Sequence, residues 1–139
     1  MRVAVFGSGL MGATIARDLV KSKSVDKVTV CDLDRDRLQS LTRLERSPKL
    51  SVIAHDVRRK DATVRLLKNF DVGVGALPHA FAQYAILSTI RAGVDFVDLI
   101  FGWRFGYSDI HSGAKKKGVT IIPACGLAPG LTNILAMAG

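Results

Sequence analysis

Short apolar runs alternate with longer amphipathic stretches along the whole chain. Residues 3–6, 28–31, 51–54, 72–76, 96–99 and 119–122 are rich in Val and Ile. They are apolar at consecutive rather than alternate positions and too short for helices, as strands buried on both faces of a parallel sheet must be. Between them, helical spacing of apolar positions covers 10–21, 35–44, 62–68, 81–92 and 108–117. Gly93 and Gly118 stand where helices end and the next strand begins, the position at which a left-handed cap favours glycine. This rhythm predicts an α/β fold, a doubly wound parallel sheet of six strands in the order 3-2-1-4-5-6.

The first strand runs into Gly7-Ser8-Gly9-Leu10-Met11-Gly12, a G-x-G-x-x-G that opens a helix. In that context the pattern is the pyrophosphate turn of a dinucleotide-binding Rossmann fold. Gly7 permits the tight turn, Gly9 lets the ligand approach backbone, and Gly12 lets helix and strand pack closely. Free amides and the positive end of the helix dipole then hold the anion. Asp32 ends the second strand, 20 residues beyond Gly12, where a carboxylate accepts hydrogen bonds from ribose hydroxyls. That favours NAD. Arg35 and Arg37 follow closely enough to meet a 2′-phosphate, which leaves NADP open. Asp34 and Asp36 suit the start of the next helix. Asp56 and Val57 are expected to line the adenine pocket, with helix entry the other role open to Asp56. Ala76-Leu77-Pro78 closes the fourth strand at the switch point, where small residues and a rigid turn suit contact with the coenzyme.

The chain has 139 residues, 48% of them hydrophobic and 23% charged, enough for one domain with its own core and inconsistent with a disordered chain. No apolar run reaches the ~18 residues of a membrane helix, and Arg2 leads directly into a strand, so neither membrane insertion nor a signal peptide is expected. Cys31 and Cys125 lack metal-type spacing and read as reduced thiols of a cytoplasmic protein. The net charge of +8 comes from small scattered groups such as Arg58/Arg59/Lys60 and Lys115/Lys116/Lys117. They fall near helix ends and outer faces, a solvated surface rather than a nucleic-acid footprint, while the field still favours anionic ligands.

Four segments together, the glycine loop, DVGVGALP at 71–78, AGVDFVD at 92–98 and KGVTIIPACGLAPGL at 117–131, resemble the saccharopine dehydrogenase-like family, nearest to its lysine 6-dehydrogenase-type members. The last segment is the most specific. The resemblance implies an NAD(P)-dependent oxidoreductase acting on a carbon–nitrogen bond of an amino-acid substrate. It also implies a second domain, following the segment at 128–131, that completes the substrate site and dimerises, so a homo-oligomer is expected. The chain is expected to end where that domain would begin, with the apolar stretch at 131–138 as a junction helix; the alternative is that this helix packs on the sheet or in a dimer and the protein is complete. FGWRFG at 101–106 and Gly73 within the fourth strand also depart from the family pattern, the latter expected to weaken its strand a little.

Amine oxidation needs a hydride acceptor, a base and groups that orient the substrate. Three residues are the candidates for the protein's share. His79 follows the fourth strand and carries an imidazole that titrates near neutrality, with helix capping as its other role. Asp98 ends the fifth strand, placed either to orient an ammonium group or to close a loop. Cys125 lies in the loop after the sixth strand, near the expected nicotinamide position, with a purely structural thiol as the alternative. Gly126 and Gly130 suit backbone approach. Phe101, Trp103 and Phe105 form an aromatic group fit to cover the nicotinamide, to join a domain or subunit contact, or to serve as an ordinary core anchor with no ligand. Two other classes of function stay open: a nucleotide-gated regulatory module, and a remnant that binds coenzyme without turnover.

Overall fold

The computed structural model describes residues 1–100 and 107–138. Six parallel strands form one sheet in the order β3-β2-β1-β4-β5-β6, the order expected from the sequence. They are β1 (Arg2–Phe6), β2 (Lys27–Asp32), β3 (Leu50–Ala54), β4 (Val72–Gly75), β5 (Asp95–Asp98) and β6 (Ile121–Ile122). Among the described residues six helices accompany them: α1 (Leu10–Leu19), α2 (Arg35–Leu44), α3 (Lys60–Leu67), α4 (His79–Ala92), α5 (Tyr107–Lys117) and α6 (Leu131–Ala138).

Period-two alternation divides each central strand between two cores. Val3 and Val5 of β1, with Val28 and Val30 of β2, face Ala16 of α1 and Leu38 and Leu41 of α2. Ala4 and Phe6 point the other way, with Cys31 and Phe96, towards Leu67 of α3, Ala85, Ile86 and Ile90 of α4, and Ile110 of α5. Right-handed crossovers require this arrangement: the chain winds one way from β1 to β3, then restarts beside β1 and winds the other. The reversal opens a crevice at the carboxyl ends of β1 and β4.

Boundaries move where tertiary pairing overrides the apolar pattern. The charged residues Arg2, Lys27 and Asp95 join their strands because they pair in register with neighbours. β6 shrinks to two residues, the two that pair with Phe96 and Val97. α4 starts at His79 rather than 81, directly after Pro78. Gly93 and Gly118 adopt the left-handed φ expected of them, 74° and 65°.

The expectation that Gly73 merely weakens β4 needs correcting. Gly73 and Gly75 pair with Phe96 and Asp98 across the sheet. A Cβ on Gly73 would lie 2.6 Å from the Phe96 ring, and one on Gly75 would run into the Asp98 carboxyl. The two glycines make room for two large neighbours. No described helix is long and apolar enough to cross a membrane. Helix α6 forms as predicted but buries none of its residues, and Ile134 and Met137 are exposed.

Candidate functional site

A cavity of about 480 Å³ lies across the carboxyl edge of the sheet. Its floor is the loop after β1, where Gly7, Gly9, Leu10 and Met11 line the space. Gly7 has φ of 105°, and a Cβ there would come within 2.4 Å of the Ala76 carbonyl. A Cβ on Gly12 would sit 1.9 Å from the Gly7 carbonyl oxygen, so this residue sets the approach of α1 to the loop. Gly9 differs. It has ordinary φ, and the nearest atom to a Cβ would be the Arg37 guanidinium at 3.9 Å. The space above it is open, and it caps α1 without any side-chain hydrogen bond.

The first hydrogen bond of α1 runs from the Ala13 amide to the Gly9 carbonyl. The amides of Leu10, Met11 and Gly12 donate to no described residue. Open space over Gly9 and unpaired amides at a helix start fit a diphosphate, which supplies acceptors and negative charge. Leu10 and Met11, 86% and 52% exposed, are apolar residues left uncovered at the same place.

Asp32 binds the loop itself. Its Oδ2 accepts from the Ser8 amide at 2.6 Å and the Ser8 hydroxyl at 2.8 Å, and its Oδ1 accepts from the Asp34 amide at 3.0 Å. Burial raises its pKa, but these donors and the Leu33 amide outweigh burial and hold the carboxyl below its ordinary value. Asp32 is therefore an ionised anchor with most of its acceptor capacity already used. Arg37 lines the cavity and is held by Asp34 at 3.0 Å, whereas Arg35 is not among the lining residues. Asp34 caps α2 by accepting from the amides of Asp36 and Arg37, and Asp36 stands in the first turn, as expected of both.

At the β3 end, His55, Asp56 and Val57 line the cavity with Phe81 of α4. Both oxygens of Asp56 are engaged by the Arg58 guanidinium, at 2.8–3.2 Å, and Oδ1 also accepts the Arg58 amide. These contacts hold its pKa down to about 2. Arg58 in turn stands 5.9 Å from the centre of the Phe81 ring. His55 was not identified from the sequence. Nothing in its spacing marks it, because its place depends on how β3 ends beside Asp32, whose carbonyl accepts the His55 amide at 2.8 Å.

Beyond β4, Ala76, Leu77 and Pro78 line the cavity, and the Ala76 amide donates to the Phe6 carbonyl, extending the β1–β4 pairing. Leu99 and Ile100 form the wall after β5. Of the three candidates for chemistry, none is a lining residue. His79 is exposed at the start of α4. Cys125 is exposed, with its amide donating to the Asp98 carbonyl at 2.9 Å. Asp98 is fully buried just behind the Leu99–Ile100 wall, and neither carboxyl oxygen meets a hydrogen-bond partner among the described residues. Burial pushes its pKa up to about 7; the Leu99 and Ile100 amides offset only part of that. Asp98 and Cys125 are thus neighbours, and His79 sits at the rim between the lining residues Pro78 and Phe81 without lining the cavity itself. Phe101, Trp103 and Phe105 lie outside the described residues.

Comparison with known proteins agrees with this geometry. Residues 3–122 match the model of the saccharopine dehydrogenase NADP binding domain. The structure is similar to apo saccharopine dehydrogenase (L-Glu forming) from Saccharomyces cerevisiae, with 25% identity, a TM-score of 0.80, and coverage of 97% of this chain but 29% of that one. It is also similar to GenD2 from gentamicin A biosynthesis in complex with NAD (23% identity, TM-score 0.68, 88% of this chain and 34% of that one). A shikimate 5-dehydrogenase from Mycobacterium fortuitum gives 17% identity and a TM-score of 0.65 over 88% of this chain and 44% of that one. The chain spans less than half the length of each. The last two likenesses speak to the fold. With the family model covering most of the sequence and a cradle shaped for a nicotinamide coenzyme, the chain belongs to the saccharopine dehydrogenase NADP binding domain family.

Proposed function

We propose that this chain is the coenzyme-binding part of an NAD(P)-dependent oxidoreductase that acts on a carbon–nitrogen bond of an amino-acid substrate, completed by further protein that holds that substrate. The observation that carries the coenzyme half is the loop at Gly9, where open space meets three unpaired amides. The diphosphate rests there, the adenosine extends towards His55 and Val57, and the nicotinamide towards Leu77, Leu99 and Ile100. The coenzyme, when bound, supplies the hydride acceptor. Arg37, lining the cavity beside the loop, supports acceptance of a 2′-phosphate, while Asp32 serves the loop more than the ribose.

The reaction class rests on likeness to the yeast saccharopine dehydrogenase and on Asp98. A carboxyl with a pKa of about 7 is suited to exchange a proton with an amine near neutrality. Its buried position behind Leu99 requires that segment to move or the proton to pass through an intermediary. Cys125 and His79 are exposed, so any part they take is played at a surface that the remaining protein covers. Titration of the purified chain with NAD and NADP tests the first half, and absence of binding to both refutes it. Turnover of lysine and saccharopine by a full-length relative, with Asp98, Cys125 and His79 replaced singly, tests the second; unchanged turnover clears the residue replaced. Coenzyme binding with no turnover in any longer form favours the regulatory or remnant reading.

A further inference from the structure

We propose that His55 reads the base of the bound dinucleotide, offering Nδ1 as a fixed acceptor to the exocyclic amino group of adenine, in the tautomer that Thr63 imposes. The proposal rests on the coenzyme-binding reading. His55 is half-buried and lines the cavity beside Val57 and Phe81, with its ring 6.5 Å from that of Phe6. Its Nε2 lies 2.8 Å from the Thr63 hydroxyl oxygen. Thr63 is fully buried, and the same oxygen stands 3.0 Å from the Arg59 carbonyl and 3.1 Å from the Val57 carbonyl.

The Arg59 carbonyl already accepts the Thr63 amide at 2.9 Å, whereas the buried Val57 carbonyl has no other donor among the described residues, so the one hydroxyl hydrogen of Thr63 is best placed on the Val57 oxygen. What remains for His55 is a lone pair. Nε2 must then donate, and in a neutral ring Nδ1 carries no hydrogen. Burial lowers the pKa of His55 and so favours that neutral ring. Nδ1 has no hydrogen-bond partner among the described residues and is not sealed from solvent. The competing acceptor at this end, Asp56, has both oxygens committed to Arg58. Adenine presents an amino donor at its six position, whereas hypoxanthine presents a carbonyl oxygen there. An acceptor held against an acceptor loses the bond and adds repulsion.

The test compares the coenzyme that binds tighter, NAD or NADP, with its hypoxanthine analogue, by calorimetry on the purified chain. Wild type should prefer the adenine form by about tenfold. In His55→Phe, which keeps a ring against Phe6, the preference should fall to within about twofold, chiefly through weaker binding of the adenine form. Nitrogen-15 NMR of the wild-type histidines gives an independent readout: Nδ1 of His55 unprotonated in the free protein and shifting with the adenine coenzyme. Undiminished preference in a folded His55→Phe, or a protonated Nδ1 in wild type, overturns the proposal while leaving the coenzyme site standing. Failure of wild type to bind either dinucleotide would overturn the coenzyme site and this proposal with it. If the variant does not fold, the wild-type ring decides.

Discussion

Replacing Gly9 with Ala should leave the fold intact and damage binding, whereas the same change at Gly12 should damage the fold itself. Gly9 has φ of −66° and ψ of −174°, a conformation open to alanine, and its Cβ would meet only the Arg37 guanidinium at 3.9 Å. Loss of chain entropy in the unfolded state stabilises such a change by about 0.4–1 kcal/mol, and alanine's poorer performance as an N-cap offsets a similar amount. Net stability should therefore stay within about 0.5 kcal/mol of wild type. The new methyl group occupies the space over the loop, so a diphosphate must retreat from the amides of Leu10 and Met11. Losing two charge-assisted hydrogen bonds, at roughly 1.5 kcal/mol or more each, weakens binding about a hundredfold. At Gly12 the Cβ would lie 1.9 Å from a backbone carbonyl that cannot swing aside, and about 3 kcal/mol of stability should be lost. Thermal unfolding by circular dichroism and calorimetric titration with NAD and NADP separate the two effects. A Gly9→Ala protein that binds within about twofold of wild type would refute the placement of the diphosphate.

Arg37→Ala should weaken NADP binding about tenfold and NAD binding by less than about threefold, with the NADP effect shrinking at high salt; equal losses would remove Arg37 from coenzyme choice. Asp98 titrates at about 7 in the folded chain against 3.8 as an ordinary carboxyl, so the fold holds its proton more tightly, and stability falls as pH rises between those values. The ceiling is about 4 kcal/mol, and relaxation around the charged carboxylate brings the expected figure to about 2. Asp98→Asn should accordingly gain about 2 kcal/mol on wild type as pH rises from about 4 to about 7 in urea titrations, and a pH-independent difference would contradict the burial of an ionisable group there. Ser8→Ala removes one of the two donors from Ser8 to Asp32, and should lower stability by about 1 kcal/mol and coenzyme affinity several-fold through a looser loop; unchanged affinity would separate the clamp from the ligand.

Strand order, the glycine turn and both left-handed helix ends were legible because each rests on local chemistry: apolar runs, a positive φ, the absence of a Cβ. The roles of Gly7 and Gly12 followed from the same rule. Side-chain allegiance was harder to read. Asp32 holds the position expected of a ribose ligand, yet its oxygens turn to Ser8, a residue 24 positions earlier that only the β1–β2 pairing brings near. Asp56 is likewise drawn off by Arg58, two positions on. Gly73 looked like a defect when viewed along its own strand; the reason for it lies on β5. His55 carried no local signal, since its partner Thr63 belongs to a helix whose first turn was expected two residues later.

Two thiols in very different surroundings give this chain a ready means of observation. Cys31 is buried, and burial together with the adjacent Asp32 pushes its pKa up to about 12, so it stays a thiol under ordinary conditions. Cys125 is exposed and tethered by its amide to the strand that ends in Asp98. A fluorescent maleimide should therefore label the unmutated protein once, at the edge of the nicotinamide end, giving a reporter of ligand arrival without engineering.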